Sequence, residues 1–202
     1  MADGSKGQIS FQNVMRANMI PELVKAACTI VGAWDASTKD GRLLHLRALD
    51  FVPDLPVYPS VILYEPTEEG SHAFTNIGFL GLIGSLTAMS KIGISVGEKV
   101  MYSLNPTDYP VAPFTTYWGK PWTMVLRDTV QFANNIYDVE RMIQNANRTA
   151  MIHLGWGSLP DNTFRGADYA ANFVTFYDDK NYTHYTKEHP QLDGLFYYSK
   201  AI

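Results

Sequence analysis

The chain has 202 residues, 46% of them hydrophobic and 18% charged, which fits one globular domain with a sizeable core. A net charge of −4 and scattered basic residues argue against a nucleic-acid surface and against a polybasic membrane patch. The single cysteine rules out an intrachain disulfide, and no apolar run approaches the roughly 18 residues of a transmembrane helix.

The N-terminal residues 1–27 are predicted to form a separate helical segment. Ile9, Phe11, Val14 and Met15 share one helical face, and Pro21 opens a second helical stretch that runs to residue 27. The direct interpretation of this pattern is a pair of short helices that covers the core.

Residues 28–50 are predicted to form a β-hairpin. Residues 28–34 are rich in β-formers, an Asp-Gly turn follows, and residues 43–51 resume an apolar strand that contains Arg47 and Asp50. Charges inside a buried strand are unfavourable unless they are paired or used. The hairpin brings Cys28 close to both charged residues, and a guanidinium beside a thiol favours the thiolate, the form that attacks carbonyls.

The rest of the chain alternates predicted strands with one helical region. Strands are predicted over residues 61–64, 72–80, 149–156, 169–177 and 195–198. Two amphipathic helices, one starting at Pro121 and one over 137–146, suit the outer layer of a sandwich. Two proline-rich loops, 53–59 and 105–121, interrupt these elements. The second loop either rims an apolar pocket or is simply a packed proline–aromatic loop.

The hairpin carries a resemblance to a known family. Cys28 opening a strand, the turn Asp40-Gly41, and Arg47-Ala-Leu-Asp50 closing the next strand resemble the cysteine members of the N-terminal-nucleophile (Ntn) hydrolases. This branch groups penicillin acyltransferases, acid ceramidase and acylethanolamine amidases, conjugated bile acid hydrolases and phospholipase-B-like proteins. The sequence around this hairpin is most similar to that of uncharacterised eukaryotic acid-ceramidase-like proteins. The resemblance implies an α+β fold, the αββα four-layer sandwich with antiparallel sheets, over residues 28–202, and a chain that is incomplete at its C-terminus.

The resemblance also implies a chemistry. Residues 1–27 would be a propeptide-like segment, removed when the chain cleaves its own Ala27–Cys28 bond. Cys28 would then attack the carbonyl of a linear amide, such as that of an acyl lipid, with its own α-amino group as base. Arg47 would hold the thiolate and the carbonyl, and Asp50 would orient the α-amino group. No cofactor, metal or nucleic-acid partner is expected; the partner is a small N-acyl or lipid substrate.

Two features leave other functions open. Ser90 and Ala88 stand where relatives carry Asn and Gly. The strand that carries the oxyanion-binding Asn in relatives is not found either. Thr29 and Asn172 are therefore only substitute candidates for contacting the substrate or its oxyanion. The alternatives are an acyltransferase or a phospholipase-B-like esterase on the same nucleophile, or a catalytically inactive relative. The family is mostly lysosomal or secreted, but residues 1–7 are polar and unlike a signal peptide, so localisation stays open.

Each candidate residue also has a purely structural interpretation. Cys28 is then an inert buried thiol, and Arg47 and Asp50 form a structural ion pair. His45 and His153 lie in apolar strands and are interpreted as satisfied core residues. A further polar group lies in a tyrosine-rich segment without recognised ligand spacing, and is predicted to be a solvated loop rather than a metal site: Asp178, Asp179, His184 and His189.

Overall fold

Two antiparallel sheets and two pairs of helices make up the computed structural model, which describes residues 3–23, 27–50, 58–101, 115–116, 118–183 and 185–198. A short 3₁₀ turn, Asp3–Ser5, comes first. The helices are α1 (Phe11–Asn18), α2 (Ile20–Leu23), α3 (Trp122–Phe132) and α4 (Ile136–Asn145). The strands are β1 (Ala27–Asp35), β2 (Gly41–Asp50), β3 (Pro59–Tyr64), β4 (Phe74–Phe79), β5 (Thr87–Ser90), β6 (Ile94–Val100), β7 (Ile152–Ser158), β8 (Thr163–Tyr169), β9 (Val174–Tyr177) and β10 (Leu195–Tyr198).

The predicted hairpin forms two of the three strands of the smaller sheet. That sheet has the order β10-β1-β2, and the larger sheet has the seven strands β3 to β9 in chain order. In the β1–β2 ladder Cys28 lies opposite Leu49, and Ile30 lies opposite Arg47. Because side chains alternate between the faces of a strand, these four residues share the face that meets the larger sheet.

Glycines let the two sheets approach closely. A Cβ atom on Gly155 would lie 2.7 Å from the side chain of Ile30, and one on Gly166 would lie 2.4 Å from Phe196. A cluster of large side chains fills the rest of the space; all come from the strands except Tyr182, which follows β9: Ile30, Trp34, Leu43, Phe164, Tyr177, Tyr182, Phe196 and Tyr198. The close spacing explains why charged side chains in this layer are sealed from water.

The predicted helical layer is confirmed. Helix α3 begins directly after Pro121 and packs on β5 and β6, while α4 packs on β7 and β9. Asn135 caps α4 by accepting a hydrogen bond from the Asp138 backbone N–H. The buried side of the two helices is apolar, as the periodicity predicted: Val125, Leu126, Val130, Val139 and Ile143.

The N-terminal segment docks differently from the prediction. Ile9, Phe11 and Met15, the supposed core-facing stripe, are exposed. Polar groups hold the segment instead: the Asn18 side chain donates to the Gly81 carbonyl and accepts from the Ile83 backbone N–H. The prediction of an apolar cover is therefore wrong for these residues, because buried hydrogen bonds fix α1. Residues 24–26, at the end of the predicted helix pair, lie outside the described residues.

One strand prediction is also wrong. The predicted strand 169–177 is broken by a bend between β8 and β9, and β8 itself was missed. No element was predicted for most of β8, which contains two charged residues: Arg165 pairs with Glu140 of α4, and Asp168 is buried. Most of the two proline-rich loops lies outside the described residues. None of the described helices is long and apolar enough to cross a bilayer.

Candidate active site

Cys28 and Arg47 meet in the layer between the sheets. Cys28 is fully buried near the start of β1, and Arg47 comes from β2, diagonally across the ladder. The Nη2 of Arg47 donates to the Cys28 Sγ at 3.3 Å. The hairpin register thus brings together two of the three side chains singled out from the sequence.

Glu98 of β6 joins the contact between Cys28 and Arg47, and it was not predicted from the sequence. Its carboxylate forms an ion pair with the Arg47 Nη2, and its backbone carbonyl accepts from the Arg47 Nε at 3.4 Å. The Cys28 Sγ–H points to the Glu98 Oε1 at 3.8 Å. The signal that could have found it is the same as for Arg47: Glu98 and Lys99 are charges inside an apolar strand.

Burial governs the charge of this site. Desolvation, joined by the negative charge of Glu98, raises the pKa of Cys28 to about 11, although the Arg47 guanidinium opposes this. Burial also raises the pKa of Glu98, again against the effect of Arg47. The expected thiolate is therefore not the form present in the uncleaved chain at neutral pH, because desolvation outweighs one adjacent cation.

Asp50 lies at the end of β2, opposite Ala27, and is exposed. A backbone hydrogen bond from Asp50 lowers the pKa of the Cys28 thiol, and its negative charge raises that pKa slightly. Arg47 forms its ion pair with Glu98, whereas Asp50, three residues further along the same strand, belongs to the opposite face of the small sheet. Glu98 reaches the guanidinium from the opposite sheet.

The weaker candidates are less well placed. Thr29 follows Cys28 in β1 and so points to the other face of the small sheet. Asn172 lies in the exposed bend between β8 and β9. Ser90 ends β5, and its hydroxyl accepts from the Ile94 backbone N–H at 3.0 Å, which closes the tight turn predicted there.

His45, two residues before Arg47, is only partly satisfied. Its Nδ1 pairs with the Ser95 hydroxyl at 2.9 Å, but its Nε2 is buried without a hydrogen-bond partner. Burial, with a contribution from Arg47, lowers the pKa of His45 to about 4, so the ring is neutral at pH 7. His45 and Arg47 line a cavity of about 360 Å³ between β2 and strands β4 to β6.

A second buried polar group, the Asp168 cluster, comprises Asp168, His153, Tyr177 and Tyr198. Asp168 accepts from the His153 Nδ1 at 2.7 Å, from the Tyr198 hydroxyl at 3.2 Å and from the Tyr177 hydroxyl at 3.3 Å. The prediction that His153 is a satisfied core residue agrees with this pairing. Lys99 lies next to His153 in the ladder, and its pKa is lowered by burial.

The group near the C-terminus that was predicted to be a solvated loop is only partly solvated, because Asp179 is buried. Asp179 accepts from the Gly194 N–H, and Lys180 pairs with Asp179 and Asp193. His184 lies outside the described residues. Within the part of the chain that the structure describes, no group of three His, Cys, Asp or Glu side chains is arranged to hold a metal ion.

Comparison with solved structures defines the fold. The Caenorhabditis elegans ortholog of N-acylethanolamine-hydrolyzing acid amidase matches 85% of this chain with a TM-score of 0.57 and 13% identity, over 69% of its own chain. A cysteine-to-alanine mutant of the conjugated bile acid hydrolase of Clostridium perfringens matches 76% with a TM-score of 0.51 and 16% identity, over 51% of its own chain. The fold is therefore that of the Ntn hydrolases, and the predicted fold class is confirmed.

Comparison of sequences gives relatives without a named function. Protein dcd1A of Dictyostelium discoideum is 33% identical over 215 residues, which cover all of this chain and 46% of dcd1A. Protein dcd1B of the same organism is 36% identical, over 95% of this chain and 38% of its own length. The chain thus spans about half or less of the curated relatives it matches. No family model matches it.

Proposed function

We propose that this chain carries the nucleophile of a cysteine Ntn hydrolase that cleaves linear amides. The observation that carries the proposal is the sealed contact of Cys28, Arg47 and Glu98, with the thiol at the start of β1. The fold supports it, because solved amide hydrolases share this architecture. The catalytic residues proposed are Cys28, Arg47 and Asp50, to which the geometry adds Glu98.

The first reaction is cleavage of the chain before Cys28. The Cys28 sulfur attacks the carbonyl carbon of Ala27, the C–S bond forms, the C–N bond breaks, and the nitrogen takes a proton to become the α-amino group of Cys28. Glu98, 3.8 Å from the sulfur, accepts the thiol proton. Its raised pKa suits a base. Water then hydrolyses the thioester, which leaves a carboxylate on Ala27 and a free thiol.

The second reaction repeats the same steps on a substrate. The new α-amino group, with a reference pKa near 8, accepts the thiol proton, and it is oriented by Asp50 across the ladder. Sulfur displaces the amine of the substrate, and water releases the acid. Arg47, with its fixed positive charge, stabilises the thiolate and the developing oxyanion. The substrate proposed is an N-acyl compound, of which an acyl lipid is one example.

Two alternatives differ in whether the Cys28 thiol is catalytic. An acyltransferase or a phospholipase-B-like esterase shares the thioester intermediate and differs only in donor or acceptor. An inactive relative is favoured by one observation: the thiol is fully buried and its pKa is raised. In that case the contacts of Cys28 are purely structural.

Intact-mass spectrometry of the purified 202-residue protein tests the proposal. We expect a fragment that begins at Cys28, its complete loss in Cys28→Ala, and cleavage at least tenfold slower in Glu98→Gln. Glu69→Gln, a change at an exposed turn, is the matched control and should cleave normally. An uncleaved chain that also fails to react with a thiol-directed acylating probe would establish the inactive relative instead.

A further inference from the structure

Lys99 of β6 is a buried cation that the reactions proposed above do not use. It is 2% exposed, and its Nζ donates to the Val100 carbonyl at 3.3 Å. An ammonium group is seldom buried this far unless nearby negative charge compensates for the lost water. Two carboxylates are close in the sheet, since Glu98 precedes it and its ladder partner His153 pairs with Asp168.

The glycines near Lys99 show which face of the large sheet it occupies. A Cβ on Gly97 would lie 3.0 Å from the Arg47 side chain, and one on its ladder partner Gly155 would lie 2.7 Å from Ile30. Both glycines therefore face the small sheet. Lys99 comes two residues after Gly97, and side chains two residues apart on a strand share a face. Lys99 therefore points into the layer between the sheets.

The same contacts give the level of this lysine along the layer. Gly157 of β7 lies against Leu43, close to the hairpin turn, whereas Gly155 lies against Ile30, further from that turn. The start of β7 and the end of β6, which pair with each other, therefore lie over the start of β1. This is where the lysine and Cys28 are both found.

The charge of Lys99 is coupled to the thiol more strongly than to either carboxylate. Burial lowers the pKa of Lys99, and the negative charges that oppose this are, in order of effect, those of Cys28, Asp168 and Glu98. An attraction between two charges favours both charged forms, so an ammonium group that the thiolate stabilises also stabilises the thiolate. Arg47 is the cation with the larger effect on the thiol itself.

We propose that Lys99 is a second cationic residue of the thiol site, which stabilises the negative charge on the sulfur and on the oxyanion during cleavage before Cys28. This inference rests on the proposed function. In that reaction the thiol proton moves to Glu98, so one negative charge leaves the carboxylate and appears on the sulfur and then on the carbonyl oxygen of Ala27. Lys99 keeps its own proton and forms no covalent bond. It acts through its charge, in a sealed layer where such an interaction is stronger than in water.

The sequence offered no well-placed Asn side chain for the oxyanion, and Lys99 supplies a different kind of group. An ammonium carries three N–H donors and a full positive charge. A purely structural role would instead be to balance Asp168, to which His153, Tyr177 and Tyr198 already donate. The two roles predict different results when Lys99 and Asp168 are both neutralised.

Time courses of self-cleavage in the 202-residue chain, made by cell-free translation and followed by mass spectrometry, test the inference. We expect Lys99→Met to slow cleavage at least tenfold and Lys99→Arg to stay within about threefold of the unsubstituted chain. Lys91→Met, a change at an exposed turn, is the matched control and should cleave normally. Asp168→Asn should also cleave normally, and Lys99→Met with Asp168→Asn should stay as slow as Lys99→Met alone.

Urea unfolding in a Cys28→Ala background establishes that Lys99→Met folds, and Lys99→Gln takes its place if it does not. Normal cleavage in Lys99→Met, or cleavage restored by adding Asp168→Asn, would overturn the inference and leave the hydrolase standing. So would a Lys99→Arg chain that is stable in urea but as slow as Lys99→Met, because the charge would then not be what matters. An unsubstituted chain that does not cleave would refute the hydrolase itself, and with it this role of Lys99.

Discussion

The two buried polar groups between the sheets differ in how a carboxylate is held. At the thiol site, Glu98 is paired with the guanidinium of Arg47, which stays charged at any ordinary pH. In the Asp168 cluster, the carboxylate accepts from one imidazole and two tyrosine hydroxyls. The first arrangement leaves a permanent cation beside a thiol. The second spreads one charge over donors that are neutral or only weakly basic, and so suits a structural role.

This difference predicts opposite responses to the loss of a partner. A buried charge left alone is costly unless the group can become neutral by gaining or losing a proton. Glu98 can gain one, and burial already raises its pKa. Arg47 cannot lose one. Removing Glu98 should therefore cost more unfolding free energy than removing Arg47. We expect no such dependence on a permanent cation in the Asp168 cluster.

The largest effect is expected for Glu98→Gln. Removing the carboxylate leaves the sealed guanidinium of Arg47 without an anion, which costs about 3–5 kcal/mol of unfolding free energy. Arg47→Met should cost clearly less, because Glu98 can then be protonated. Urea unfolding at pH 7 in a Cys28→Ala background, which prevents self-cleavage, measures both. Equal losses for the two variants would contradict the asymmetry.

A smaller loss is expected for Asp168→Asn. The amide keeps one acceptor oxygen but turns an NH₂ group toward tyrosine hydroxyls and loses the charge, which costs about 1.5–3 kcal/mol. The same urea titration measures it, and Asp3→Asn, a change at an exposed position, is the control. A loss as large as that of Glu98→Gln would show that the two clusters are equally dependent on their charge.

Only some contacts of the two buried polar groups could be predicted from the sequence. The β1–β2 register follows from a turn between two apolar runs, so the Cys28–Arg47 contact could be predicted. Glu98 lies on the other sheet, 70 residues from Cys28, and its position depends on how the sheets stack, which no local pattern shows. Strand β8 was missed for a related reason: the buried carboxylate of Asp168 is satisfied by side chains of three other strands, β7, β9 and β10. The exposed stripe of α1 could not be foreseen, since periodicity shows a face but not its partner.

The pH dependence of the unfolding free energy should distinguish His45 from His153. Because the pKa of His45 is lowered to about 4, the unfolded chain takes up a proton at this residue near pH 6.5 while the folded chain does not. Stability contributed by neutral His45 is thus present above pH 6.5 and is lost as pH falls toward 4. Between pH 5.5 and 4.5 this loss is about 1.4 kcal/mol. It should disappear in His45→Gln and persist in His153→Gln, measured by urea unfolding at both pH values in the Cys28→Ala background.

The smallest effect is expected for Tyr198→Phe. The variant removes one neutral hydroxyl donor to Asp168 and keeps the ring that stacks on His153 at 4.3 Å, so the cost is about 1 kcal/mol. A double-mutant cycle with Asp168→Asn isolates the hydroxyl–carboxylate term, and we expect the Tyr198→Phe loss to shrink by half or more when Asp168 is already Asn. Strict additivity of the two losses would mean that the hydroxyl stabilises the fold through something other than the carboxylate.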